Sequence, residues 1–125
     1  MRKIAFIVEK TSSGYSAYAE DYNAATTADT YKELKQNMLD SINLLFEHEG
    51  KPLAKISDLS IKFDMQQFLN YYKGINILDI SEKIGMNNSL ISQYKSGKKY
   101  PSEIQAFKII EGIKAYGREL ATITL

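Results

Sequence analysis

With 125 residues, 44% of them hydrophobic and 25% charged, the chain has a globular composition and the length of one ordinary domain or two very small ones, so disorder is not its default. Cysteine is absent, which removes disulfides, thiolate metal sites and cysteine nucleophiles together. The formal net charge of +1 hides an asymmetry: residues 1–64 carry 8 Lys/Arg against 10 Asp/Glu, residues 65–125 carry 8 against 5, and within 95–118 the balance is 6 against 2.

At the N-terminus, "KIAFIVE" (3–9) is apolar at nearly every position and β-branched at three, as in a strand covered on both faces. The basic start and short apolar run of "MRKIAFIVEK" end early at Glu9 and Lys10, so the segment reads as a strand and not as a signal peptide. No apolar run approaches the ~20 residues that span a bilayer. A soluble, cytoplasmic protein with no membrane association is expected. "KTSSG" (10–14) is turn chemistry, and "YSAYAED" (15–21) reads as a second strand carrying Tyr15 and Tyr18. The Thr-rich stretch 22–29 leaves room for a short third strand around 24–27.

Thr30 opens a helix with a capping box, since Glu33 stands three residues on. Tyr31, Leu34, Met38, Ile42, Leu45 and Phe46 recur at helical spacing as one apolar stripe, and Gly50 and Pro52 of "HEGKP" end the helix. "LSIKFD" (59–64) alternates Leu59, Ile61 and Phe63 with polar partners, a strand with one buried face. The first half is thus β-β-(β)-α-β, one sheet with a helix across it.

The pattern changes at Asp64, which with Gln67 caps a helix carrying Met65, Phe68, Leu69 and Tyr72 and closed by Gly74. Further helices are expected over 77–84, ended by Gly85, and over 88–95, ended by Ser96-Gly97. Ser102 with Gln105 caps another, with Ile104, Phe107, Ile110 and Ile113 as its apolar stripe and Gly117 as its end. The β-branched tail "LATITL" (120–125) reads as a short strand. The fold class expected is α+β, with a sheet-and-helix domain over 1–63 and an all-α domain over 64–125.

A helix-turn-helix needs a small residue where its two helices cross, a glycine to turn the chain, and apolar residues pinning the helices together. Ser81 is the small residue, Gly85 the turn, and Ile80, Ile84, Met86, Ile91 and Tyr94 the pins. With those buried, Asn88, Ser89, Ser92 and Gln93 of "NNSLISQYKSGKKYPS" must face outward. Asn and Gln can bond two edges of an adenine and Ser can bond several bases, while Lys95, Lys98 and Lys99 sit where the chain would cross a phosphate backbone. The basic excess is modest, so phosphate-driven affinity calls for two copies of the site and hence a homodimer or a higher homo-oligomer. The bland alternative is a helical bundle with a solvated polar face, which serves protein interaction and not DNA.

"ISEKIGMNNSLISQYKSGKKYPS" resembles the Cro/phage-repressor type of helix-turn-helix over about 65–117. The resemblance implies base contacts from Asn88, Ser89 and Gln93, with Ser92 facing the same groove. Members of that family commonly start the second helix with a phosphate-bonding Gln, and here that position is Ile77. With "KIAFIVEKTSSGYSAYAED", "TTADTYKELKQNMLDSINLLFE" and "SIKFDMQQFLNYYKG" in front, nearly the whole chain resembles the HicB family of antitoxins. That resemblance implies a truncated RNase H-like N-terminal unit that blocks HicA, a small mRNA endoribonuclease toxin, and a C-terminal unit that binds the operator of its own operon. The Pro-Gly-Cys-type turn that family members often carry before the third strand is missing from "DYNAATTAD".

Catalysis is not expected. RNase H chemistry needs three or four carboxylates converging on paired Mg²⁺ ions, and only Glu9 and Asp21, at the ends of adjacent strands, suggest an approach. No cofactor and no metal site are expected: His48 is the single histidine, at a helix end with no further ligands supplied. Of the 9 tyrosines, Tyr31, Tyr72 and Tyr94 fall on apolar stripes, whereas Tyr15, Tyr18 and Tyr22 lie on or beside a strand read as a sheet edge, a candidate partner-binding surface. The function expected is that of an antitoxin binding a HicA-like toxin and operator DNA; a stand-alone transcriptional repressor is the alternative.

Overall fold

The apolar run at the N-terminus becomes an inner strand, β1 (Ile4–Lys10), flanked by an antiparallel neighbour, β2 (Tyr15–Ala19), and a parallel one, β4 (Leu59–Phe63). In the computed structural model, which describes residues 2–125, a short β3 (Ala25–Ala28) completes a four-stranded sheet of order β3-β2-β1-β4. Helix α1 (Tyr31–His48) lies between β3 and β4 in the chain, and a single 3₁₀ turn (Ile56–Asp58) leads into β4. Four helices follow: α2 (Met65–Tyr71), α3 (Ile77–Ile84), α4 (Asn88–Lys95) and α5 (Glu103–Leu120). The protein is α+β, with α1 among the strands and four helices after them, and its backbone falls into two compact units that meet in sequence at Phe63 and Asp64.

Side-chain alternation builds the core of the first unit. Register pairs Phe6 with Ala19 and Ile61, and Val8 with Ala17 and Phe63, so these residues share one face of the sheet. Tyr15 belongs to that face and meets Tyr31 of α1 edge-on at 6.1 Å, which puts the helix there. The helix contributes Leu34, Met38, Ile42 and Phe46, all fully buried, and each such side chain stabilises by roughly 1.5–3 kcal/mol. Thr30 caps α1 by accepting from the Glu33 amide at 3.2 Å. The segment after α1 is clipped back by Asn43, which accepts from the Ala54 amide at 2.6 Å and donates to its carbonyl at 3.0 Å. Asn43 carried no signal in sequence, because its partner lies beyond the reach of helical periodicity.

Two expectations are corrected in this unit. The third strand forms as expected, at Ala25–Ala28, and is the sheet edge; β2 pairs on both sides, so Tyr15, Tyr18 and Tyr22 do not flank an open edge. The β3 edge is itself partly occupied, since Asn37 of α1 donates to the Thr27 carbonyl at 3.0 Å. Glu9 and Asp21 do not approach each other either, because the antiparallel register sets Glu9 against Ser16 and carries Asp21 past Ala19 to the opposite end of the strand pair.

In the second unit the core is Met65, Phe68, Ile77, Ile80, Ile91, Tyr94, Ala106 and Ile109. Asp64 and Ser102 cap α2 and α5 through the amides of Gln67 (3.0 Å) and Gln105 (3.3 Å). Helix α5 overturns two readings. Its buried residues are Ala106 and Ile109, while Ile104 is 80% and Phe107 46% exposed. The reason is steric: a Cβ on Gly112 would stand 2.6 Å from Ile84 Cγ2 and 3.2 Å from Ile80 Cγ2, so α5 turns its small residues toward α3. The helix also continues through Gly117 to Leu120, with the Ala121 amide bonded to the Gly117 carbonyl at 3.0 Å. Residues 120–122 are therefore helix end and turn, 123–125 carry no regular structure, and the expected C-terminal strand does not form within the chain; β-branched residues need a neighbouring strand to pair with.

Candidate nucleic-acid interface

Helices α3 and α4 and the bend between them are held by local chemistry. Asn76 caps α3 through the Asp79 amide at 3.3 Å. Gly85 takes φ 74°, a left-handed conformation that a side chain disfavours, and the Met86 amide bonds back to the Ser81 carbonyl at 2.9 Å. Asn87 then caps α4, its side-chain oxygen accepting from Ser89 N at 2.8 Å and Leu90 N at 3.3 Å. That cap escaped sequence reading, although an Asn directly before a helical repeat is its ordinary signal.

Burial of Ile91 and Tyr94 decides what α4 shows to solvent. Asn88, Ser89 and Ser92 are exposed and Gln93 is half-buried. Their availability differs. The Asn88 Oδ1 accepts from the Ser81 hydroxyl at 2.7 Å, and the Gln93 Nε2 makes a long 3.4 Å contact with the Ser89 carbonyl. The chain after α4 is tied down by the Lys99 amide on the Gln93 carbonyl (3.2 Å) and by Gln66 of α2, whose Nε2 donates to Ser96 O at 3.1 Å.

These bonds position Lys98 and Lys99 beside the end of α4, close in sequence to Lys95, and all three are exposed. Among the described residues none of the three makes an ion pair, in contrast to Lys83, which faces Asp79 at 3.7 Å and Glu119 at 3.8 Å and lies over the Tyr116 ring at 4.1 Å. Lys114 is likewise matched by Glu111 at 3.3 Å. The arrangement is a short helix with amide and hydroxyl groups outward and three cations uncommitted to carboxylates, which can bond base edges and attract phosphates. Ile77, in place of the usual phosphate-bonding Gln, is 2% exposed and belongs to the core.

Tyr94 ties this helix to the core, and burial pushes its hydroxyl above the ordinary value of 10.0. A raised phenol favours the neutral form in the fold, so its contribution is complete below about pH 10 and is lost as pH climbs through the folded value. Tyr94→Phe is expected to flatten the alkaline loss of stability relative to the parent chain, measured as Tm against pH from 8 to 11.

The three tyrosines of the first unit do not converge. Tyr15 packs on Tyr31, Tyr22 meets Phe46 edge-on at 5.2 Å, and Tyr18, 43% exposed, lies on the opposite sheet face from Tyr15. On that opposite face Ser16, Tyr18, Ala25 and Thr27 line a shallow depression. His48 is exposed at the end of α1, and no three His, Asp or Glu residues among those described come together in a way that would hold a metal ion. No helix among the described residues is long and apolar enough to cross a membrane.

The chain is similar to a UPF0150 protein of Archaeoglobus fulgidus, 35% identical over 57 residues, which is 46% of this chain and 83% of the relative. No family model matches it, and no solved structure matches it.

Proposed function

The chain belongs to the UPF0150 family, and from that premise we propose that it is a cytoplasmic, non-enzymatic antitoxin of the HicA/HicB type, which binds a small endoribonuclease toxin and represses its own operon. The observation that carries the reading is the outward face of α4, with Ser89, Ser92 and Gln93 beside Lys95, Lys98 and Lys99, cations that have no carboxylate partners among the described residues. Two copies of α4 would enter successive major grooves, one helical turn or a small multiple apart, with Gln93 and its neighbours on base edges and the lysines on phosphates. The toxin would meet the sheet face around Tyr18.

Gel shift of the upstream region tests the DNA arm. Gln93→Ala is expected to lower affinity for the specific site by about 5- to 150-fold, the worth of one good base contact, while binding to unrelated duplex stays nearly unchanged. Equal affinity of parent and variant for the specific site would place the reading surface elsewhere. Co-purification with the product of the neighbouring gene tests the toxin arm. The dispersal of Tyr15, Tyr18 and Tyr22 over two faces favours the alternative, a stand-alone transcriptional repressor, and absence of any complex would establish it.

A further inference from the structure

Strand β3 (Ala25–Ala28) is the outer strand of the sheet, and its ladder fixes which backbone groups look away from β2. Ala17 pairs with Thr26 and Tyr15 with Ala28, and the Ala19 amide donates to the Ala24 carbonyl at 2.9 Å. In an antiparallel ladder, residues with both groups turned to the partner alternate with residues whose groups are turned away. Ala24, Thr26 and Ala28 therefore face β2, while Ala25 and Thr27 present their N–H and C=O groups at the edge. The Thr27 carbonyl is the one that Asn37 Nδ2 reaches from α1, at 3.0 Å, which agrees with that assignment. Proteins blunt such edges with lysine, proline or a bulge, and residues 22–28 hold no charged residue and no proline. The Asn37 amide covers the edge in another way, with a side chain that can rotate off it.

We propose that the β3 edge is a self-pairing surface that Asn37 holds shut, and that its occupant is β3 of a second copy. The edge is suited to its own copy. A two-fold axis at Thr26 sets Ala25 of one strand opposite Thr27 of the other, antiparallel, and every outward N–H of each copy then meets an outward carbonyl. The side chains brought together are alanines and threonines, small enough for a close approach and β-branched at Thr26 and Thr27. Continued outward, the same register places Asp29 against Asn23 of the other copy, a carboxylate against an amide donor, and keeps the two Asp29 carboxylates apart. A neighbouring strand lies about 4.8 Å away, so a side-chain nitrogen 3.0 Å from the outward oxygen contends for it with the incoming N–H of Ala25. Pairing thus exchanges the Asn37 contact for a backbone one. The inference stands apart from the DNA-reading proposal, since β3 and Asn37 both belong to the first unit.

Light scattering over a range of protein concentration, on the intact chain, Asn37→Ala, Thr27→Pro and the two combined, reads the association. Asn37→Ala keeps a strong helix former in α1, and Thr27→Pro removes an N–H that does not serve the ladder to β2. Relative to the intact chain, Asn37→Ala is expected to rise about twofold in mass with concentration, and the combined variant to return to the intact value. An oligomer built through the helical unit adds equally to every variant and cancels in the comparison. An Asn37→Ala mass that matches the intact chain, a rise that survives Thr27→Pro, or an intact chain whose mass Thr27→Pro lowers would each overturn the inference. Amide hydrogen exchange gives a second reading and shows in the same spectra that the sheet is intact. In the intact chain Thr26 and Ala28 are expected to be protected and Ala25 and Thr27 to exchange freely. In Asn37→Ala the latter two should slow by about tenfold once about nine chains in ten are paired. A Thr27 amide already protected in the intact chain, or one that stays fast in Asn37→Ala at every concentration, defeats the inference.

Discussion

Ile91→Ala is expected to destabilise the helical unit by about 2–5 kcal/mol, the range for deleting a fully buried aliphatic side chain whose site cannot collapse around the void. Ile91 is 0% exposed and lies on α4, in a core that also holds Ile80, Tyr94 and Ile109. A unit this small has a total stability near the low end of the usual 5–15 kcal/mol, so the loss removes a large share of it. Chemical denaturation followed through amides of the helical unit measures the effect. Ser92→Ala, at an exposed position on the same helix, is the control and should stay within about 0.5 kcal/mol. A loss below that figure for Ile91→Ala would mean that α4 is not anchored through this residue.

The second large effect belongs to the paired substitution Lys98→Ala and Lys99→Ala. Each lysine that neutralises a phosphate contributes close to one unit of slope in the logarithm of affinity against the logarithm of salt concentration. Losing both should make that slope shallower by about 2 per chain and weaken binding at 0.15 M salt on the order of tenfold or more, for specific and unrelated duplexes alike. Fold stability should not move, because both side chains are exposed and neither has an ion-pair partner among the described residues. The pattern is opposite to that of Gln93→Ala, which acts on specific sites only. An unchanged slope would show that phosphates are met elsewhere on the molecule.

Much of the local structure could be read from residues close together in the chain. Thr30, Asp64 and Ser102 each accept from the amide three residues on, as their spacing with Glu33, Gln67 and Gln105 predicts. Helices α3 and α4 occupy the spans expected of them, and Gly85 turns the chain between them. The α1 stripe was legible for the same reason, since Leu34, Met38, Ile42 and Phe46 face one way whatever they pack against.

The candidate site was legible at the level of residue type and exposure, because burying Ile91 and Tyr94 leaves Ser89 and Ser92 outward by helical geometry alone. The contact of Asn88 with Ser81 was not, since it reaches a hydroxyl in the preceding helix. The reading of β2 as a sheet edge failed on topology: alternation marks a strand but does not say which strands flank it, and β2 proved to be inside the sheet.

By itself, then, the sequence determined the caps of α1, α2 and α5, the turn at Gly85, the spans of α3 and α4 and the polar outer face of α4, because each is settled by interactions within about four residues. Only the tertiary structure decided the strand order, the inward face of α5 and the contact between Ser81 and Asn88. Those depend on which distant surfaces meet and how closely, as the bare Cα of Gly112 against Ile80 and Ile84 shows.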